Sequence, residues 1–265
     1  MSAPPDTPRM LAPQALGQDY FCLPAWLPVP GHGLLCANAH LVRGAEPMLV
    51  DTGVAALGDD FMAALEACID PADLRWIWLS HTDADHAGNL VRVLDAAPRA
   101  TVLTGFLGLA KMELQGLPLD RVQLLDPDAA FVLPDRELVP VRPPYYDAPE
   151  STGFFDTKTR SLFCVDAFGA LLPQPEETAA AIAPATLEAG LAAWSALDAP
   201  WLAMADRDAL AQALQAIMRL DPRLMISGHL PPAFGMAGEL AGLVRHVYGG
   251  KPAAPGSDLL ARLAA

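Results

Sequence analysis

The stretch SHTDADHAGN, residues 80–89, places two histidines and two aspartates within six consecutive positions, from His81 to His86. Unpaired charges are costly to bury, so these side chains must be solvated, paired with opposite charges or bound to a metal ion. Neutral imidazole and ionised carboxylate are common protein ligands of first-row metals. The stretch therefore predicts a metal site, with a solvated acidic loop as the alternative.

The segments on either side of this stretch predict a strand and a helix. RWIWLS, residues 75–80, is apolar and runs directly into His81. AGNLVRVLDAAP, residues 87–98, carries apolar residues at helical spacing. Because α/β proteins commonly build their sites at the C-terminal ends of strands, this position favours a functional site.

Three further predicted strands also end in Asp or His. EPMLVDTG delivers Asp51, the hairpin GFFDTKTRSLFCVDAF delivers Asp166, and DPRLMISGH delivers His229. We expect Asp166 and His229 to complete metal-ligand shells from distant strands. Asp51 is expected to orient a ligand histidine through a hydrogen bond, as metal sites commonly require, with a turn-forming role at the strand end as the alternative.

Composition excludes several classes of protein. The 265 residues are 52% hydrophobic and 18% charged, which indicates a packed globular protein. The formal net charge of −14 argues against nucleic-acid and anionic-membrane partners, which need a basic surface. No apolar run approaches the roughly eighteen residues of a membrane span, and the first ten residues lack a signal-peptide pattern. We expect a cytoplasmic protein whose four isolated cysteines are core residues rather than ligands.

The order of these motifs resembles the metallo-β-lactamase fold superfamily. The resemblance runs from Asn38 to His229 and is carried by NAHLV, LVDTG, SHTDADHAGNL, VDAFG and ISGH. It implies an α/β fold, a four-layer αββα sandwich of metallo-β-lactamase type. The implied organisation is an N-terminal arm over residues 1–20, a lactamase-like domain over 21–235 and a C-terminal helical extension of the same domain over 236–265.

Within that superfamily the chain is most similar to flavodiiron proteins and their oxygen-binding di-iron relatives. These carry a carboxylate in the middle of the motif, as HxExDH, and a similar DAFG after the hairpin. Here the middle residue is Asp83, one methylene shorter, and the family's third histidine is replaced by Asp147. No histidine occurs between His86 and His229. Asp147 could be a ligand, Tyr146, Tyr145 or water could substitute, or the first metal could be weakly held.

Residue by residue, the resemblance implies two metal positions that share Asp166. The first metal position would use His81, Asp83 and Asp147, and the second metal position would use Asp85, His86 and His229. Dinuclear centres hold their ions about 3.5–4 Å apart, a span that one carboxylate bridges. Oxygen donors outnumber imidazoles here, which favours iron, with zinc or manganese as alternatives. Tyr146, beside Asp147, is a candidate proton donor, with a packing role as the alternative.

The resemblance implies that the chain binds or reduces oxygen or nitric oxide with electrons from flavin. Only 36 residues follow His229, too few for the family's flavodoxin module. We therefore expect a separate flavoprotein or a rubredoxin-like protein as electron donor, a small-molecule substrate, and a homodimer as one assembly compatible with the family. A metal-dependent hydrolase with a bridging hydroxide is the first alternative. A non-catalytic sensor that has lost its first metal position is the second.

Overall fold

The computed structural model describes residues 7–249, which form fifteen strands and six α-helices. The strands are β1 (Arg9–Met10), β2 (Gln14–Ala15), β3 (Tyr20–Val29), β4 (Gly33–Val42), β5 (Met48–Val50), β6 (Trp76–Trp78), β7 (Thr101–Thr104), β8 (Val122–Leu124), β9 (Phe131–Leu133), β10 (Arg136–Val141), β11 (Gly153–Asp156), β12 (Ser161–Phe163), β13 (Leu171–Leu172), β14 (Leu224–Ser227) and β15 (Leu230–Phe234). The helices are α1 (Gly58–Glu66), α2 (Leu90–Ala96), α3 (Phe106–Leu114), α4 (Pro184–Asp198), α5 (Arg207–Arg219) and α6 (Ala237–Tyr248).

The first sheet has nine strands, with the main order β1-β3-β4-β5-β6-β7-β8, and β2 and β13 pair with β3 and β4. The long hairpin of β3 and β4 is antiparallel, as is the β4–β5 pair. From β5 to β8 the strands are parallel, and α1, α2 and α3 provide the connections between them. Parallel neighbours need such crossovers, and these place the ends of β5, β6 and β7 at one edge of the sheet.

The second sheet has six strands in the order β15-β14-β12-β11-β10-β9. Its β12–β14 pair is parallel, and the connection between these strands contains α4 and α5. The other neighbouring pairs are antiparallel. Because β12 and β14 run the same way, the segments that follow them, with Asp166 and His229, leave the sheet at the same edge.

Three apolar clusters separate four layers. Side chains of both sheets, including Trp78 and Phe154, pack between the sheets. The outer face of the first sheet is covered by α1 and α2 through Phe61 and Leu90, among others. The outer face of the second sheet is covered by the C-terminal helices, with Leu191 of α4 among the buried residues. This arrangement is the predicted four-layer αββα sandwich, so the fold prediction is confirmed.

The strand β3 is absent from the sequence prediction. It contains Pro24 and Pro28, which lack the backbone donor of a strand and argue against one. The structure accommodates Pro24 between two short edge partners: β2 pairs with Phe21 and Cys22, and β1 pairs with Ala25 and Trp26. Proline is tolerated there because no partner strand needs its missing N–H. The described part of the expected N-terminal arm thus adds two short strands to this edge.

The C-terminal helical extension expected over residues 236–265 begins with α6, and its part from residue 250 onward lies outside the described residues. All four cysteines are free, and three of them are buried, as expected for core residues. Between residues 7 and 249, no helix combines the length and apolar character needed to cross a membrane.

Candidate metal centre

The SHTDADHAGN stretch leaves the C-terminal end of β6, between β5 and β7. Leu79 stays extended because its amide donates to the carbonyl of Leu103 at 2.9 Å. The chain then turns back: the amides of His86 and Ala87 both donate to the carbonyl of Asp83, at 3.0 and 2.8 Å. This turn buries the imidazole of His86 and leaves Asp83 exposed.

The predicted ligands come together in the groupings that the resemblance implies. Ligand atoms of His81, Asp83 and Asp147 lie within 4.8 Å of one another. Those of Asp85, His86 and His229 form a second group of the same size, as do those of His81, His86 and Asp166. The two predicted metal positions are therefore adjacent, and the carboxylate of Asp166 lies between them.

Asp166 is presented by a strained loop. Val165 and Phe168 on either side of it have φ values of 56° and 67°, which L-residues, and β-branched valine in particular, rarely adopt. Two tertiary hydrogen bonds hold this conformation. The amide of Gly228 donates to the carbonyl of Val165 at 2.7 Å, and the amide of Phe168 donates to the hydroxyl of Tyr145 at 2.6 Å.

Asp51 organises two imidazoles from the first sheet. Its Oδ2 accepts from His86 Nδ1 at 2.8 Å and from Ser80 Oγ at 2.8 Å. Since the one hydroxyl hydrogen of Ser80 goes to Asp51, Ser80 Oγ must accept from His81 Nδ1, 3.0 Å away. Both imidazoles therefore carry their hydrogen on Nδ1. The expected orienting role of Asp51 is confirmed, and Ser80 extends it to a second histidine.

His229 has the same tautomer, because its Nδ1 lies 2.7 Å from the carbonyl oxygen of Cys36, which can only accept. The three Nε2 atoms consequently converge on Asp166, at 3.2 Å from His81, 3.0 Å from His86 and 3.3 Å from His229. Nitrogen and carboxylate lone pairs repel at such distances unless a cation lies between them. Protonating all three imidazoles would crowd three positive charges, so the donor set fits metal ions better.

Electrostatics in the metal-free site follow from the buried carboxylates. Burial lowers the pKa of His86, but Asp166, Asp85 and Asp51 raise it further, to well above its ordinary value. Burial together with the charge of Asp166 raises the pKa of Asp147 to about 6. Each shift reflects a site that favours one additional positive charge.

Asp147 occupies the loop between β10 and β11, half-buried, with its Oδ1 shielded from solvent and without a hydrogen-bond partner among the described residues. Tyr145 and Tyr146 were the alternative ligands to Asp147. The hydroxyl of Tyr145 accepts a hydrogen bond from the amide of Phe168. The ring of Tyr146 packs against Trp201, with centroids 5.8 Å apart, and under the guanidinium of Arg142 at 4.3 Å. Those contacts favour packing for Tyr146, whose proposed proton-donor role stays a prediction.

One carboxylate at the site was absent from the sequence prediction. Asp198, at the end of α4, places an oxygen within 4.8 Å of oxygens of Asp147 and Asp166. Burial and the charges of Asp166 and Asp147 raise its pKa to about 8. It stands at the end of an Ala- and Leu-rich helix far from the histidine motif, so neither spacing nor composition distinguishes it from an ordinary surface aspartate.

Comparison with known proteins gives a family match over most of the chain. The model for the ODP family beta lactamase matches residues 35–229. The chain is 32% identical to a putative diflavin flavoprotein A 2 of Nostoc sp. strain PCC 7120, over 50% of this chain and 23% of that protein. It is 31% identical to the type A flavoprotein fprA of Rhodobacter capsulatus, over 50% of this chain and 31% of that protein. The chain thus spans about a quarter to a third of the length of these relatives.

Solved structures show the same fold. Rubredoxin oxygen:oxidoreductase from Desulfovibrio gigas aligns with a TM-score of 0.76 at 19% identity, covering 89% of this chain and 61% of that one. A fragment, residues 1–254, of putative diflavin flavoprotein A 5 from Nostoc sp. PCC 7120 aligns with a TM-score of 0.74 at 15% identity, covering 92% of this chain and 96% of that one. At these identities the likeness concerns the fold.

Proposed function

Because the chain belongs to the ODP family beta lactamase, we propose that it holds a di-iron centre and binds or reduces oxygen or nitric oxide. The observation that carries this proposal is the convergence of three Nε2 atoms and several carboxylates on Asp166. Support comes from relatives described as diflavin flavoproteins and from a structural neighbour described as a rubredoxin oxygen:oxidoreductase.

The choice of iron rests on the donor atoms. The seven proposed ligands comprise four aspartates and three histidines: His81, Asp83, Asp85, His86, Asp147, Asp166 and His229. Hard carboxylate oxygens suit iron or manganese, whereas structural and catalytic zinc sites favour imidazole and thiolate. The first metal position has a single imidazole, from His81, and is the more oxygen-rich of the two.

When bound, a pair of iron ions would supply the valence changes that oxygen or nitric oxide reduction requires. The residues of the chain provide the surroundings for that chemistry. Asp51 and Ser80 fix the tautomers of His86 and His81, so both Nε2 atoms stay available as ligands. The indole of Trp194 lies edge-on to the buried imidazole of His229, with ring centroids 4.7 Å apart.

Reduction of oxygen or nitric oxide needs a source of electrons. We propose a separate flavoprotein or a rubredoxin-like protein as donor, in keeping with the flavin named in the curated relatives and the rubredoxin named in a structural neighbour. The substrate is a small molecule, since both proposed ligands are diatomic.

The test combines metal analysis, spectroscopy and turnover. Protein expressed in iron-supplied medium should contain about two iron ions per chain and absorb visible light in a manner that changes with oxygen. With a chemical reductant and a flavoprotein mediator it should consume dissolved oxygen or nitric oxide. Two zinc ions together with hydrolysis of generic esters or phosphodiesters would instead establish a hydrolase. One metal ion or none, with no turnover, would support the sensor alternative.

Substitution of the shared ligand gives a sharper test. Asp166→Ala should release both metal ions, whereas Asp147→Ala should release one, because Asp147 contacts the first metal position alone. Asp95→Ala is the matched control, since Asp95 is an exposed aspartate of α2. Unchanged metal content in the Asp166 variant would refute the proposed centre.

A further inference from the structure

We propose that Asp198 is a ligand of the first metal position, where it supplements Asp147 in place of the missing imidazole. The inference rests on the proposed dinuclear centre and adds an eighth residue to it. Its basis is position: an oxygen of Asp198 lies within 4.8 Å of oxygens of both Asp147 and Asp166. Asp198 comes from a helix that covers the second sheet, an element that contributes none of the other seven ligands.

Of the three carboxylates, Asp166 alone has imidazole nitrogens within 4 Å in the described part of the chain, and those imidazoles are themselves proposed metal ligands. Among the described residues, neither Asp147 nor Asp166 nor Asp198 forms an ion pair with lysine or arginine. Each also keeps one oxygen that is shielded from solvent and has no hydrogen-bond partner in the described part of the chain. Asp166 is almost fully buried, at 3% exposure. Such a cluster requires a cation.

The helix itself gives no reason for a carboxylate at this position. Asp198 is the last residue of α4, where the partial negative charge of the helix C-terminus disfavours an acidic side chain. The Oδ2 atom of Asp198 is shielded from solvent and has no hydrogen-bond partner among the described residues. A metal ion beside Asp147 compensates both penalties.

The packing of α4 explains how the carboxylate reaches the site. Leu187, Leu191, Trp194 and Asp198 follow at spacings of four, three and four residues, so they share one face of the helix. Leu187 and Leu191 belong to the core cluster under this face. Trp194 contacts His229 through its ring, which anchors the last turn at the second metal position. One turn later, the side chain of Asp198 is directed toward the first metal position.

Metal affinity tests the assignment without reliance on turnover. Ferrous iron would be added anaerobically to chelator-treated full-length protein in competition with a chromogenic chelator, and the two dissociation constants compared between variants. Asp198→Asn should weaken one of the two sites by about 10-fold or more and leave the other within about 2-fold. Asp198→His, which supplies an imidazole donor, should keep both sites. Mössbauer spectra of the loaded protein should show that Asp198→Asn perturbs one of two iron environments.

Glu188→Gln is the control, because Glu188 lies on the same helix, is partly exposed and pairs with the exposed His246. It should leave both constants unchanged. If Asp198→Asn binds both iron ions as tightly as the wild type, Asp198 is not a ligand and the di-iron proposal is unaffected. If the wild-type protein binds no iron, the di-iron proposal itself fails. Should Asp198→Asn fold poorly, Asp198→Ser takes its place with the same expected loss at one site, and wild-type affinity at both sites in that variant would overturn the assignment.

Discussion

Gly228 lies directly against the candidate ligands, and the space around it is too small for a side chain. A Cβ at this position would approach His86 Cε1 to 2.8 Å and Asp166 Oδ1 to 3.1 Å. We predict that Gly228→Ala displaces one of these side chains, weakens metal binding at least about 10-fold and costs roughly 1–3 kcal/mol of stability. Metal titration and urea unfolding measure the two effects.

The matched control is Gly238→Ala, whose nearest neighbour, Met218 Cε, would lie at an ordinary 3.6 Å from the new Cβ. This variant should bind metal as the wild type does. Equal metal affinity in the two alanine variants would show that Gly228 does not confine the site.

His40 should make the metal-free protein sensitive to acid. Burial lowers its pKa to about 4, although the nearby charge of Asp51 acts in the opposite direction. The unfolded chain binds the proton near pH 6.5, so the unfolded state gains protons first as pH falls. As the pH falls from about 6.5 to about 4, His40 therefore lowers the free energy of unfolding by roughly 3 kcal/mol.

The measurement is a difference between two proteins. The unfolding free energies of chelator-treated wild type and His40→Gln are compared from about pH 7.5 to about pH 4. Subtraction removes the titrations that the two proteins share. The unfolding free energy of the wild type, relative to that of His40→Gln, should therefore fall by roughly 3 kcal/mol in acid. A difference that stays constant with pH would show that His40 does not contribute this dependence.

Single residues were predictable from sequence where they belonged to a local motif. Four candidate ligands between His81 and His86 were visible as a cluster, and Asp166 and His229 as the ends of apolar strands. Asp147 was found because the resemblance fixed its spacing from Asp166. Asp198 could not be found, since only the tertiary packing of α4 brings it to the site.

At the scale of single elements, two helical glycines should respond to substitution in opposite directions. Gly190 lies in α4, where a Cβ would come within 2.3 Å of the carbonyl oxygen of Leu171 in β13. Gly242 lies in α6, exposed, with nothing within 4 Å of the corresponding position. Gly242→Ala should stabilise the protein by about 0.5–1 kcal/mol through its helix propensity.

Gly190→Ala has the same gain in propensity but must separate α4 from β13, so a net loss of roughly 1–3 kcal/mol is expected. Because α4 also carries Trp194 and Asp198, this variant should lose metal affinity as well. Thermal unfolding of the pair measures the contrast. Stabilisation by both substitutions would mean that α4 can move away from the strand at little cost.

Sequence patterns located the helices better than the edge strands. The helical spacing of residues 87–98 was a sufficient signal for α2, because this helix buries one face on the first sheet. The strand β3, next to the edge strands β1 and β2, was hidden by two prolines, and the edge strands β8 and β9 are short and carry exposed residues. Such strands owe their conformation to a neighbour in the sheet, which a local pattern does not reveal.

At the scale of the whole molecule, polar links join the two sheets at both ends. The candidate ligands meet at one end, with His81 following β6 of the first sheet and Asp166 following β12 of the second. At the opposite end of β12, the hydroxyl of Tyr20 in β3 donates to Asp156 of β11 at 2.9 Å. The resemblance implied the sandwich and the ligands at one end, whereas the link between Tyr20 and Asp156 was not predicted, because these partners are remote in sequence.

The link at that end depends on a buried ion pair. Asp156 and the guanidinium of Arg136, 2.8 Å apart, are both almost completely shielded from water. Asp156→Ala would leave Arg136 and Tyr20 without their shared acceptor in the interior. Removing one partner of a buried pair typically costs about 3–5 kcal/mol, so we expect a loss of that size.

Asp73→Ala provides the comparison, since Asp73 pairs with Arg99 at 2.9 Å on the surface, where both side chains are more than half exposed. Such a pair contributes about 0–1 kcal/mol, so this variant should unfold almost as the wild type does. Denaturant unfolding of metal-free protein isolates the effect from the candidate metal centre at the other end. Equal losses from the two substitutions would show that the Asp156 pair does not hold the sheets together, and that apolar packing between them is sufficient.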